Sequence, residues 1–141
     1  MKKDDAKKLF ENFNCAQALL AAYAPGLGVD EKTAFKIASG FGGGMAGLSE
    51  VCGAVTGAFM VIGLKYGKYR PDDKRAKDRT YIKVRKFAKR FAEEHGTLIC
   101  RDLIGCDIST EEGLKRAREE QLFSKCPGYV ESAARILEEI L

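Results

Sequence analysis

Cysteine is the residue type on which chemistry concentrates in this sequence. There are five: Cys15, Cys52, Cys100, Cys106 and Cys126. No two of them form a C-x-x-C pair, which argues against zinc ribbons, zinc fingers and a thioredoxin-type dithiol, all of which present two sulfurs from one local turn. A shared task would therefore require separate segments to bring the thiols together. The single histidine, His95, excludes any site built on several imidazoles. Cys126, preceded by Lys125 and followed by Pro127, reads as a helix start, where free amides and a cation favour a thiolate. Cys52 lies in a segment apolar on nearly every side and is expected to be desolvated. Cys15 sits at the edge of an apolar stripe beside Leu19 and Ala22, and Cys100 adjoins Arg101, which makes it the rival for reactivity. Taken one at a time, each thiol is most simply a small buried hydrophobe.

The elements that must position these thiols read as helices throughout. Residues 4–23 place Leu9, Phe13, Ala16, Leu20 and Tyr23 on one stripe, stopped by Pro25-Gly26-Leu27-Gly28. Asp30 caps a second helix with Ala34, Phe35, Ile37 and Ala38 inward, ended by Gly42-Gly43-Gly44. A third, apolar and central, opens at Leu48-Ser49-Glu50 and runs to about Tyr66. A fourth runs from Pro71 to His95 with Tyr81, Val84, Ala88 and Phe91 as its inner stripe, and His95 caps its end. Cys100 to Cys106 reads as a short turn, Ser109 or Thr110 caps a fifth helix, and Cys126-Pro127 opens the last. No segment alternates long enough for a strand. The expected fold is all-α, a single compact bundle of five to six helices formed by residues 1–141 as one domain.

Composition sets the bounds. With 141 residues, 45% hydrophobic and 31% charged, the chain has material for a packed core. A net charge of +4 is low for a dedicated nucleic-acid binder, so no nucleic-acid partner is expected. Half of the 24 basic residues fall between Lys65 and Arg90, against Asp72, Asp73 and Asp78. That stretch could meet an acidic partner, but the solvated face of an amphipathic helix is the preferred reading. The apolar, uncharged run Val51–Leu64 has 14 residues, too few for a bilayer of about 30 Å. An odd number of cysteines with no export signal points to the cytoplasm.

The run Gly40-Phe41-Gly42-Gly43-Gly44-Met45, followed by Cys52-Gly53-Ala54-Val55-Thr56-Gly57 and Ala58-Phe59-Met60-Val61-Ile62-Gly63-Leu64, resembles the bacterial and archaeal redox-active family labelled C_GCAxxG_C_C. Cys15 in Asn14-Cys15-Ala16-Gln17-Ala18, Cys100 in Cys100-Arg101-Asp102-Leu103 and Cys126 in Lys125-Cys126-Pro127 fit its four-cysteine pattern. Cys106 has no place in it. The resemblance implies a small protein, sometimes encoded beside transporter genes, whose four shared cysteines do redox work; it implies no substrate. Two chemistries follow. In the first, Cys15, Cys52, Cys100 and Cys126 cycle between dithiol and disulfide with an unidentified redox partner or a transporter component. Cys126 attacks, and a buried thiol such as Cys52 resolves the mixed disulfide. In the second, the same four thiolates bind zinc or an iron–sulfur cluster, with Gly42, Gly43, Gly44 and Gly53 leaving room and offering amides to its sulfurs. The competing reading of those glycines is helix packing and a tight turn. A non-redox interaction module, in which the cysteines only pack, is the third possibility.

Overall fold

The computed structural model describes residues 2–141. Among them are eight α-helices: α1 (Lys2–Leu9), α2 (Cys15–Tyr23), α3 (Glu31–Ala38), α4 (Gly53–Tyr66), α5 (Lys74–His95), α6 (Cys100–Ile104), α7 (Glu111–Glu119) and α8 (Cys126–Ile140). Short 3₁₀ turns lie at Ala24–Leu27, Ser39–Phe41 and Leu122–Lys125. The all-α class stands, but five to six helices undercounts. The expected first helix is two, because Asn14 interrupts it. The Asn14 side chain accepts from the Gln17 N–H at 2.8 Å and the Gln17 side chain accepts from the Asn14 N–H at 3.0 Å, a reciprocal cap that restarts the chain as α2. The turn expected at Cys100 is a short helix, α6, ended by Gly105 at φ +87°. No helix among the described residues is long and apolar enough to cross a membrane.

The main core gathers Leu19, Leu20, Val55, Val61, Ile62, Phe87, Phe91, Val130 and Leu137 from α2, α4, α5 and α8. α2 and α4 approach closely because the glycines of α4 leave space. A Cβ on Gly57 would lie 2.9 Å from Leu19 Cβ and 3.0 Å from the Ala16 carbonyl oxygen. On Gly53 it would lie 3.0 Å from both the Ala16 nitrogen and Cys15 Cβ. A second, smaller cluster holds Cys100, Ile104, Ile108 and Ala117, with Cys106, Leu114, Leu122, Phe123 and Cys126 against it.

Three inward assignments are corrected. Ile37 is 52% exposed, leaving Ala34 and Ala38 as the buried residues of α3. Tyr81 is also 52% exposed; Phe91 of the expected stripe is buried and Val84 packs partly buried against the core, while Ala76 and Phe87 are the other buried residues of α5. Phe13 lies in the break between α1 and α2 and stacks on Phe35, with ring centroids 3.8 Å apart.

The glycine-rich segment does more than end α3. Residues 43–47 all have φ between +52° and +74°, Met45 and Ala46 included, so the chain makes a left-handed turn. It closes through Ser49 N–H to Gly43 O (3.1 Å) and Glu50 N–H to Gly44 O (2.9 Å). This turn consumes the residues expected to open the third helix, so α4 starts at Gly53 instead of Leu48.

Candidate functional site

Each of the four pattern cysteines stands where a helix begins. Cys15 is the first residue of α2, Cys52 the residue before α4, Cys100 the first of α6 and Cys126 the first of α8. All four line one cavity of about 200 Å³, shared with Gly43, Gly44, Gly53, Asn14 and the apolar side chains of Phe10, Leu103, Ile104, Phe123 and Tyr129. Cys15 and Cys52 belong to the main core and Cys100 and Cys126 to the smaller cluster, so the cavity lies on the seam between them.

Backbone pairing fixes the back of the site. Val51 and Ile99 form an isolated antiparallel bridge, with Cys52 N–H donating to Leu98 O at 2.9 Å and Cys100 N–H donating to Glu50 O at 2.6 Å. In this pattern Cys52 faces Leu98 and Cys100 faces Glu50. The two cysteines are thus diagonal neighbours across the bridge. Ser49, fully buried with φ +61°, accepts the Ile108 N–H on its hydroxyl at 2.9 Å. Its carbonyl accepts from Arg101 Nε at 3.1 Å. Arg101 also meets the Glu50 carboxylate at 2.7 Å, so its charge is directed at that ion pair.

The thiols differ in proton affinity. The neighbouring Cys126, with burial and the other sulfurs, holds the Cys15 thiol well above the usual thiol range. Cys15 in turn draws Cys126 below that range, against the opposing effect of burial. The direction at Cys126 agrees with expectation, but the cause is Cys15 and not Lys125. Burial pushes Cys52 up to about 11, although the Ala54 and Val55 amides pull the other way. Burial pushes Cys100 up to about 12, and Arg101 offsets it only weakly.

Residues 13–140 match the family model described as "Putative redox-active protein (C_GCAxxG_C_C)", a span that contains every one of these thiols. The chain belongs to the C_GCAxxG_C_C family. No curated protein and no solved structure matches the chain. In this member of the redox-active family Cys106 does not line the cavity; its thiol donates to the Gly113 carbonyl at 3.2 Å. The four glycines make close protein contacts. A Cβ on Gly42 would fall 2.7 Å from Asn14 Cβ, and on Gly43 3.0 Å from Gly47 Cα. On Gly44 it would fall 2.6 Å from the Glu50 nitrogen and 2.7 Å from Cys100 Cβ. Gly42 lies outside the cavity lining.

No group of three or more His, Cys, Asp or Glu side chains among the described residues is arranged to hold a metal ion. The arrangement of donors adds no support to either the zinc or the iron–sulfur reading.

Two positioning residues escaped the sequence reading. Asn14, whose signal is the Asn-x-x-Gln spacing, caps α2 under Cys15. Tyr129, three residues past Cys126, donates its hydroxyl to Leu103 O at 2.7 Å and so ties α8 to α6 across the cavity. His95 does not cap α5. Gly96 does, while the imidazole packs on Phe91 and Tyr129 with its Nε2 buried and unpartnered.

Proposed function

We propose that the protein carries out thiol–disulfide exchange at this cavity, with Cys126 as the attacking thiolate and Cys15 as its resolving partner. The observation that supports this is the meeting of Cys15 and Cys126 in one cavity, where each sets the other's proton affinity, raising Cys15 and lowering Cys126. Exchange needs an ionised sulfur to attack and a neighbouring thiol to complete the step. The Cys126 thiolate attacks one sulfur of a substrate disulfide, forming a mixed disulfide and expelling the other sulfur as thiolate. Cys15 then loses its proton to the departing thiolate or to solvent and attacks the Cys126 sulfur. The Cys15–Cys126 disulfide forms, the second substrate thiol leaves, and two electrons have passed to the substrate. A dithiol partner returns the protein to its reduced form by the reverse exchange.

Cys15 takes the resolving role expected of Cys52 because it is the thiol whose neighbourhood lowers Cys126. Cys52 and Cys100 stay protonated behind the pair, and their burial keeps the inner wall uncharged.

Mass spectrometry of reduced protein treated with oxidised glutathione tests the assignment. In Cys15→Ser, whose hydroxyl keeps a donor beside Cys126, the glutathione adduct should accumulate on Cys126. In the wild-type protein the adduct should be transient and give way to an internal disulfide. An adduct stable on Cys126 in both proteins, or found on Cys52, would overturn it. Absorbance near 400 nm in anaerobically purified protein, with stoichiometric iron, would favour the cluster chemistry instead.

A further inference from the structure

The thiol chemistry leaves the most strongly charged part of the molecule unexplained. Residues 65–90 carry twelve basic and three acidic side chains, whereas the rest of the chain carries twelve basic and seventeen acidic. Most of this charge lies on the solvent side of α5. Arg75, Lys77, Arg79, Arg85, Lys86 and Lys89 form no ion pair among the described residues, while Lys74 pairs with Asp78 and Arg90 with Glu139. Along one face a shallow, open depression of about 590 Å³ lies among Lys74, Arg75, Arg79, Lys83 and Lys86, with Asp78, paired to Lys74, as its one acidic residue. Ile82 lines it and is 63% exposed.

A merely solvated helix face has no use for an exposed isoleucine among five cations and a single carboxylate already paired to Lys74. The apolar side of α5, with Phe87 and Phe91, is already buried in the core. The helix therefore cannot roll an apolar face into a bilayer as interfacial helices do. One of the flanking arginines is held in place beforehand: Arg79 lies over the Tyr66 ring at 5.4 Å. A stacked guanidinium loses less freedom on pairing and presents its fork to a carboxylate. Thirteen residues separate Ile82 from His95, about 20 Å along the helix axis. His95 packs on Tyr129 at the cysteine cavity, so an occupant of the depression leaves that cavity open.

We propose that this face of α5 docks an acidic segment of another protein, which sets an aliphatic side chain against Ile82 and carboxylates against Arg75, Arg79 and Lys86. The site stands apart from the thiol reading and does not depend on it.

The test uses fluorescence anisotropy with a short labelled helical peptide, rich in glutamate around a central leucine, and a counterpart with that leucine replaced by serine. The leucine peptide should bind about tenfold more tightly than the serine one, as burial of one aliphatic side chain implies. Ile82→Ser should erase that difference, with unchanged circular dichroism. Arg75→Glu, Arg79→Glu and Lys86→Glu together should weaken binding at least about tenfold. Equal binding of the two peptides would overturn the proposal. So would binding to vesicles of phosphatidylcholine and phosphatidylserine in equal parts, or to duplex DNA, at concentrations where the peptide stays free. Self-association that Ile82→Ser abolishes would identify a second copy of the chain as the occupant, and would also overturn it.

Discussion

Gly44→Ala is the substitution that most sharply separates conformational strain from steric overlap at the cavity wall. Gly44 sits in the left-handed turn at φ +68°, so any Cβ there costs about 1 kcal/mol or slightly more. That atom would also lie 2.6 Å from the Glu50 nitrogen, 2.8 Å from the Glu50 oxygen and 2.7 Å from Cys100 Cβ. Two of these neighbours are backbone atoms of Glu50, whose carbonyl accepts the Cys100 N–H, so neither can turn aside. Overpacking of this kind adds about 1–3 kcal/mol. Gly47→Ala supplies the control, because Gly47 has φ +74° in the same turn with nothing within 4 Å of its would-be Cβ. Urea unfolding followed by circular dichroism should show a loss of about 1 kcal/mol for Gly47→Ala and about 2–4 kcal/mol for Gly44→Ala. Gly44→Ala should also speed alkylation of Cys100, as the bridge to Glu50 loosens. Equal losses for the two variants would refute the close packing of Gly44 on Glu50 and Cys100.

Cys15→Ala should move the pH profile of Cys126 alkylation upward, since the neighbour that lowers its pKa is gone and burial remains; iodoacetamide labelling read by mass spectrometry checks this. In the wild-type protein Cys126 should label before Cys52 near neutral pH, and the reverse order would contradict the assignment of the attacking thiol. Stability should fall above about pH 9, because Cys52 ionises in the unfolded chain while its folded-state pKa stands at about 11. The folded state then binds more protons than the unfolded one, and the loss, about 3 kcal/mol for this group, is complete once pH passes the folded value. Cys52→Ala should flatten that alkaline limb in urea titrations. Tyr129→Phe should cost about 1 kcal/mol through the lost hydrogen bond to Leu103, with α6 more exposed to hydrogen exchange.

The helical class was legible because apolar residues recur at helical spacing along nearly the whole chain, and Asp30, Thr110 and Gly96 cap helices where their types suggest. The cysteines were legible as a set but not as helix starts. Around Cys15 the apolar stripe runs through the break at Asn14, and only the reciprocal cap with Gln17 marks it. Before Cys52, Leu48-Ser49-Glu50 reads as the opening of a helix. The preceding residues instead adopt a left-handed turn that places Met45 and Ala46 at positive φ, a conformation that residue type alone would not suggest. The pairing of Val51 with Ile99 joins segments 48 residues apart, too short a contact to leave an alternating pattern. Tyr81 was misplaced because an aromatic at helical spacing resembles core; here it lies under Lys77 and Arg85 on the outer face.

The pairing of Cys15 with Cys126 is tested most directly by adding one equivalent of diamide to the fully reduced protein and mapping disulfides by mass spectrometry of peptides. The first disulfide to form should join Cys15 to Cys126, with Cys52, Cys100 and Cys106 recovered as alkylated thiols. A first disulfide joining Cys52 to Cys100, or one that includes Cys106, would contradict it.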